Sequence, residues 1–161
     1  MRRDIKLYNI IFPMWSIYLF GLLFPALLLI LLPANFIADT LVLLFLFWRL
    51  KLPERKALYW KSIWKVWGFG FLADILSSGI FLGISEMVDF WEYEVNVYLP
   101  YSSVPSFLFT TAAVATAGVF IYFFHMKYVW RKIEISEAQK KKIAWGMAVL
   151  TAPYLMYLPP M

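Results

Sequence analysis

The sequence predicts an all-α integral membrane protein, folded as a compact bundle of five transmembrane helices, or four in an alternative count. Of its 161 residues, 63% are hydrophobic and 16% are charged, whereas an ordinary soluble domain is about 45–50% apolar and about 25% charged. All fifteen Lys and Arg residues also fall in three groups near the ends of the apolar runs. A lipid bilayer is the solvent that explains both observations.

Five apolar runs have a length suited to crossing a bilayer. A hydrocarbon core of about 30 Å requires about 20 residues of helix. The segments that meet or approach this length cover residues 10–32, 35–51, 63–88, 105–126 and 143–159. Because these segments fill most of the chain, we expect residues 1–161 to form a single transmembrane domain.

The boundary between the first two runs contains turn-forming residues. Pro33 is suited to end one helix, and the side chain of Asn35 can cap the next. We therefore expect a tight helical hairpin over Leu32–Asn35. Pro25 lies inside the first run, where a proline predicts a kink.

The later helices have start signals of their own. Pro105 is placed at the first turn of the fourth segment. Ser136 and Gln139 have the spacing of a capping box, which predicts the start of the fifth helix. Pro153 interrupts the last apolar run, so we expect a kink or local opening there.

The basic residues predict the orientation in the membrane. With five spans, all three groups lie on one side, and the positive-inside rule places that side in the cytoplasm. We therefore expect a plasma-membrane protein with its N-terminus inside, its C-terminus outside, and anionic lipid headgroups as partners of the basic side. The groups are Arg2, Arg3 and Lys6; Arg49, Lys51, Arg55, Lys56, Lys61 and Lys65; and Lys127, Arg131, Lys132, Lys140, Lys141 and Lys142.

Composition also argues against several classes of function. The pI is near 9.4, but the aromatic residues among the lysines fit a belt at headgroup depth better than a nucleic-acid surface. The chain has no cysteine and one histidine, which excludes thiolate and multi-histidine metal sites within one chain. We expect no nucleic acid, no metal and no cofactor.

Two aspartates lie within the apolar runs, where a carboxylate at the centre of a helix costs about 2.5–3.5 kcal/mol on insertion scales. Asp74 is about 16 Å along the helix from Ile63, which places it near the midplane. Asp39 follows the predicted hairpin by four residues and should lie closer to the outer surface. We expect Asp74 to be the central ion- or proton-binding group, with Asp39 nearer the outer mouth.

The two aspartates occur in similar segments, Phe36–Leu41 (FIADTL) and Phe71–Leu76 (FLADIL). The second and third helices are expected to be antiparallel, as are the inverted repeats of transporters. Whether this similarity is a true repeat is left open.

Hydroxyl groups surround Asp74 on its predicted helix and the next one. Ser77 and Ser78 follow it on the same side, and Thr116 lies on the fourth segment, so all three are candidate ligands. A second interpretation makes these side chains packing and hydrogen-bonding partners of a protonated Asp74. Small residues at four-residue spacing, Ala113 and Ala117, predict that the third and fourth helices are neighbours.

Other polar residues suggest an access route. Four acidic residues, Glu86, Asp89, Glu92 and Glu94, lie on the outer side without a basic partner, where they would concentrate cations in an outer vestibule. Alternatively, they are only permitted there by the orientation signal. His125 is expected at the cytoplasmic interface, with a proton-relay role as the second interpretation.

Three functions are consistent with these residues. The first is a cation channel or transporter for H⁺ or Na⁺, working as a homo-oligomer because five short helices enclose little volume. The second is an accessory, assembly or immunity-type subunit that binds a partner membrane protein. The third is an intramembrane aspartate-dependent hydrolase, which we do not expect because no positioned acid and base are evident. No motif identifies a family.

Overall fold

The computed structural model describes residues 25–90, 95–96 and 99–158, which form helices and no strands. The four α-helices are α1 (Pro25–Arg49), α2 (Arg55–Phe90), α3 (Val104–Phe124) and α4 (Glu137–Leu150). A π-helical turn, His125–Val129, and a short 3₁₀ turn, Trp130–Lys132, extend α3. A last 3₁₀ helix covers Tyr154–Tyr157.

Three segments of the described chain are long and apolar enough to cross a membrane: Leu32–Arg49, Arg55–Ser85 and Val104–Lys132. This finding agrees with an all-helical membrane protein. The first predicted span, over residues 10–32, lies mostly outside the described residues. The last predicted span is broken after Leu150, and the 14 residues of α4 rise only about 21 Å.

The hairpin predicted at Leu32–Asn35 is wrong, because α1 continues without a break through Pro33. Proline removes one backbone N–H and displaces the carbonyl four residues before it. In lipid, however, a neighbouring helix can satisfy exposed backbone groups. The indole N–H of Trp67, on α2, donates to the Leu32 carbonyl at 3.2 Å, which ties α1 to α2 directly before the proline, although the carbonyl whose helical partner Pro33 removes is that of Leu29.

The continuity of α1 changes the expected depth of Asp39. The residue lies in the middle part of α1, ten positions before Arg49, which corresponds to about 15 Å along the axis. It is therefore not a residue just below an outer turn. The kink predicted at Pro25 lies where the described part of α1 begins and stays a prediction.

The other predicted helix boundaries are confirmed. Pro105 lies in the first turn of α3. Ser136 and Gln139 form the predicted capping box, in which each side chain accepts from the other residue's backbone N–H. The break near Pro153 is also present, because α4 ends at Leu150 and Pro153 precedes the last 3₁₀ helix.

The four helices close into a ring, with α1 packed against α2 and α4, and α3 packed against α2 and α4. Two glycines allow this close packing, which holds helices together in lipid. A Cβ atom at Gly118 on α3 would lie 3.2 Å from the Ala148 carbonyl oxygen on α4. A Cβ atom at Gly146 would lie 2.6 Å from the side chain of Leu46 on α1.

The predicted packing of the third and fourth spans is confirmed by the contact between α2 and α3. Ala113 and Ala117 are both buried in the bundle. The hydroxyl of Ser77 on α2 donates to the Ala113 carbonyl at 2.7 Å. Small side chains therefore bring the two backbones within reach of one serine hydroxyl.

The α1–α2 and α3–α4 junctions lie at the same end of the bundle, which we call the basic end. Twelve of the fifteen Lys and Arg residues flank these two junctions, and Arg2, Arg3 and Lys6 lie outside the described residues. A large apolar cluster fills this end, and a smaller one fills the opposite end. The first includes Leu43, Phe47, Ile63, Val66, Ile121, Trp130, Ile143 and Met147, and the second consists of Ala113, Val114, Ala152 and Met156.

Candidate functional site

Asp39 on α1 and Asp74 on α2 lie together inside the bundle. Each residue is 2% exposed, and the two carboxyl groups are close enough for their charges to interact. They lie between the apolar clusters of the two ends. The sequence analysis placed Asp39 nearer the outer surface, but in the folded chain it shares the centre with Asp74.

The approach of α1 to α2 at this point depends on Gly70, one helical turn before Asp74. A Cβ atom at Gly70 would lie 3.3 Å from Oδ2 of Asp39. This separation is tighter than ordinary van der Waals contact, so a side chain at position 70 would displace the carboxyl group. The absence of a side chain therefore positions Asp39 beside α2.

Three residues with hydroxyl groups, Ser77, Ser78 and Thr151, lie near the two carboxyl groups. Together with Asp39 and Asp74 they form what we call the central polar cluster. The side chain of Thr151, just after α4, faces the carboxyl group of Asp39. Its hydroxyl also lies 2.8 Å from the Met147 carbonyl, to which it donates. The sequence analysis missed Thr151, although its position before Pro153, at the predicted break of the last helix, was a usable signal.

Several oxygen atoms of this cluster remain available for a ligand. Oδ2 of Asp39, Oδ1 of Asp74 and Oγ of Ser78 are fully buried and have no hydrogen-bond partner among the described residues. Ser77, in contrast, is committed to the Ala113 carbonyl. The two carboxyl groups and Ser78 therefore present unpartnered oxygens in one region of the interior.

Among the described residues, no basic side chain is paired with the carboxyl groups of the central polar cluster. Within the part of the chain that the structure describes, the one ion pair joins Lys140 to Glu137 on the surface. A buried charge is normally neutralised by a partner, a bound cation or a proton. The same residues include no group of three or more His, Cys, Asp or Glu side chains. The chemistry of the cluster is therefore suited to a proton or a small monovalent cation.

The remaining candidate ligands are placed differently. Thr116 is half-buried on α3 and makes no hydrogen bond to either carboxyl group in the described structure. Glu86 and Asp89 lie on the last turns of α2, but their side chains are outside the described residues, as are Glu92 and Glu94 entirely. The outer vestibule accordingly stays a prediction.

His125 is fully buried at the start of the π-helical turn, and its predicted position at the cytoplasmic interface of the membrane stays a prediction. The ring of Trp130 stands edge-on to it, with 6.4 Å between ring centroids and an angle of 82°. Neither imidazole nitrogen, nor Nε1 of Trp130, has a hydrogen-bond partner in the described residues. We call these two residues the His–Trp pair. The imidazole of His125 faces the backbone of Val66 on α2.

Comparison with protein-family models, with curated proteins and with solved structures finds no match to this chain. The two buried polar regions, the central polar cluster and the His–Trp pair, are therefore the features of the molecule that indicate its function.

Proposed function

We propose that this chain is an integral membrane protein that transports a small cation, H⁺ or Na⁺, through a binding site formed by Asp39 and Asp74. One observation carries the proposal: two carboxyl groups from antiparallel helices are buried together, and no basic side chain of the described residues pairs with them. Ionisable side chains within a membrane are costly, and where they face the interior of a bundle they usually mark an ion pathway.

The bound cation supplies the positive charge that the protein does not. Oδ2 of Asp39, Oδ1 of Asp74 and Oγ of Ser78 are the unpartnered oxygens available to it. When the cation leaves, the two carboxyl groups repel each other across the α1–α2 contact. This repulsion gives a physical reason for coupling between cation release and a change in helix packing.

The proposed path runs inside each chain. Both carboxyl groups are buried within a single copy of the bundle, so the site does not need an interface between copies to enclose it. We also propose that the protein forms homo-oligomers in the membrane, in which contacts between copies would stabilise each small helical bundle.

We propose that the basic end lies in the cytoplasm of a plasma-membrane protein, in contact with anionic lipid headgroups. Trp60 and Trp64 are 58% and 60% exposed on α2, and they alternate with Lys61 and Lys65. Tryptophan rings and lysines at one level are typical of the membrane interface.

The two alternatives explain the site less well. An accessory subunit held by helix packing does not need two buried carboxyl groups. Apolar side chains at the same positions would have a lower free energy of insertion into the membrane. An aspartate-dependent hydrolase needs substrate and water at its carboxyl pair, whereas Asp39 and Asp74 are each 2% exposed.

Flux through the purified full-length chain in liposomes tests the proposal. Imposed H⁺ and Na⁺ gradients should drive flux in the wild type, and Asp74→Asn and Asp39→Asn should each reduce it to the level of protein-free liposomes. The matched control is Glu137→Gln, which alters an exposed carboxyl group on α4 and should leave the flux unchanged.

Unchanged flux in Asp74→Asn, or none in the wild type, would overturn the transport proposal. If the wild type is inactive and a second membrane protein co-purifies stoichiometrically in mild detergent, the accessory-subunit alternative is correct.

A further inference from the structure

Three consecutive turns of α2 carry or contact a buried ionisable group. The first group is Asp74, which is part of α2. One turn earlier, Gly70 faces the carboxyl group of Asp39. One turn earlier again, the backbone of Val66 faces the imidazole of His125. Residues four apart on a helix are separated by about 6 Å along the axis, so these groups form a row that leads from the centre of the bundle towards the basic end.

The interior around this part of α2 is densely packed with apolar side chains. Leu43, Ile121 and Met147 belong to the core of the basic end, and each is at most 1% exposed. A metal cation could enter such an interior only by losing its hydration shell without gaining oxygen ligands, which is strongly unfavourable. A proton has no such requirement, because it travels bound to one protein group at a time.

The imidazole of His125 is suited to that step. One ring nitrogen can accept a proton while the other releases one. Both nitrogens are buried and have no hydrogen-bond partner among the described residues. Most buried polar groups in native proteins do have a partner, so packing alone does not explain a histidine in this state.

The π-helical turn connects His125 to the surface of the basic end. The backbone N–H of Trp130 donates to the carbonyl of His125, five residues earlier. Turns of this kind occur often at functional sites. Arg131 and Lys132, which directly follow Trp130, are exposed. The His–Trp pair therefore lies immediately below the charged surface.

We propose that the transported cation is the proton, and that His125 carries it between the central polar cluster and the basic end. The proposal rests on the transport function above and adds the identity of the ion and the second half of its path. Each step breaks one O–H or N–H bond and forms another, so the transfer needs no redox partner and no co-reactant.

The experiment uses the full-length chain in liposomes, with a pH-sensitive dye in the lumen and radioactive Na⁺ outside, and with the membrane potential clamped by K⁺ and valinomycin. His125→Gln and His125→Phe should each lower proton flux at least about tenfold, as expected when a positioned proton carrier is lost. Tyr128→Phe is the matched control on the same turn and should stay close to the wild-type flux. Na⁺ uptake should equal that of protein-free liposomes throughout.

Two results would overturn the inference and leave the transport function intact. One is wild-type proton flux in a His125 variant that elutes and melts like the wild type. The other is Na⁺ uptake by the wild type that Asp74→Asn abolishes, a measurement that does not require any His125 variant to fold.

The absence of both fluxes in the wild type would instead remove the transport function itself. In a His125→Ala variant that elutes like the wild type, restoration of proton flux by added imidazole supports the inference, and a failure to restore it counts against it.

Discussion

The two buried polar regions of this protein differ in how their groups are partnered. The central polar cluster collects side chains from α1, α2 and the segment after α4, and two of its hydroxyl groups donate hydrogen bonds, Thr151 to the Met147 carbonyl and Ser77 to the Ala113 carbonyl. The His–Trp pair comes from one turn of the chain, and none of its three polar nitrogens has a partner among the described residues. Its surroundings are the apolar core of the basic end.

This difference separates two roles. A site that holds a proton needs an oxygen that binds it and neighbouring oxygens that can accept a hydrogen bond from it, which the central polar cluster provides. A group that only passes a proton needs to bind it briefly, and a hydrogen-bonded imidazole would hold it for longer. We therefore interpret the cluster as the binding site and the His–Trp pair as a relay, and the following substitutions test that distinction.

The largest effect is expected from a side chain placed at the α1–α2 contact of the central polar cluster. Gly70→Val puts atoms 3.3 Å or less from Oδ2 of Asp39 and should displace that carboxyl group. We expect flux to fall at least about tenfold, as when a reacting group is misplaced by about 1 Å. Gly68→Val is the matched control, because nothing lies within 4 Å of a Cβ atom there. Equal flux in the two variants would show that the α1–α2 contact does not position Asp39.

A side chain at the α3–α4 contact should affect stability rather than the chemistry of either region. Gly118→Val would press against the Ala148 carbonyl, which is backbone and cannot move alone. We expect a loss of about 1–3 kcal/mol, the usual cost of overpacking, measured as a lower midpoint of thermal denaturation in mild detergent. Gly83→Val, in open space on α2, should leave the midpoint unchanged. A drop of the same size in both variants would contradict close packing at Gly118.

Ser78→Ala should change flux and stability in opposite directions. The hydroxyl of Ser78 is buried without a partner among the described residues, so its removal should stabilise the fold by about 1 kcal/mol, the lower range of an unsatisfied polar group. Flux should fall, because the cation loses one oxygen. Ser62→Ala is the control, since that hydroxyl donates to its own helix at the Leu58 carbonyl, 2.8 Å away. Normal flux in Ser78→Ala would exclude Ser78 from the binding site.

The smallest effect on stability is expected at the His–Trp pair. Trp130→Phe removes an indole N–H that has no partner and keeps an aromatic ring against Phe47, whose centroid lies 6.2 Å away. We expect the free energy of unfolding to change by less than about 1 kcal/mol. Trp67→Phe is the contrasting variant, because that indole donates to the Leu32 carbonyl and its loss should cost about 1 kcal/mol. Because Trp130 is fully buried, a larger loss for Trp130→Phe than for Trp67→Phe would contradict this expectation and would show that the cavity left by the smaller ring dominates.

The sequence alone determined the class of the protein and several of its local features. Hydrophobic length and charge spacing predicted apolar helices, because the bilayer imposes both on any spanning segment. The starts of α3 and α4 followed from Pro105 and Ser136, since capping is a local interaction. The two aspartates were identifiable as unusual because a carboxyl group is costly in lipid at almost any position.

Only the tertiary structure decided how these features combine. α1 continues through Pro33, and beside the proline it is bonded to α2 by Trp67, a residue 35 positions away in sequence, a contact that no local rule for proline could predict. The meeting of Asp39 with Asp74, the participation of Thr151 and the burial of His125 all depend on the rotation and depth of neighbouring helices. The rotation and depth of each helix are set by close contacts between helices, such as that at Gly70. A sequence pattern specifies which face of a helix is polar or apolar, but not which neighbouring helix that face contacts.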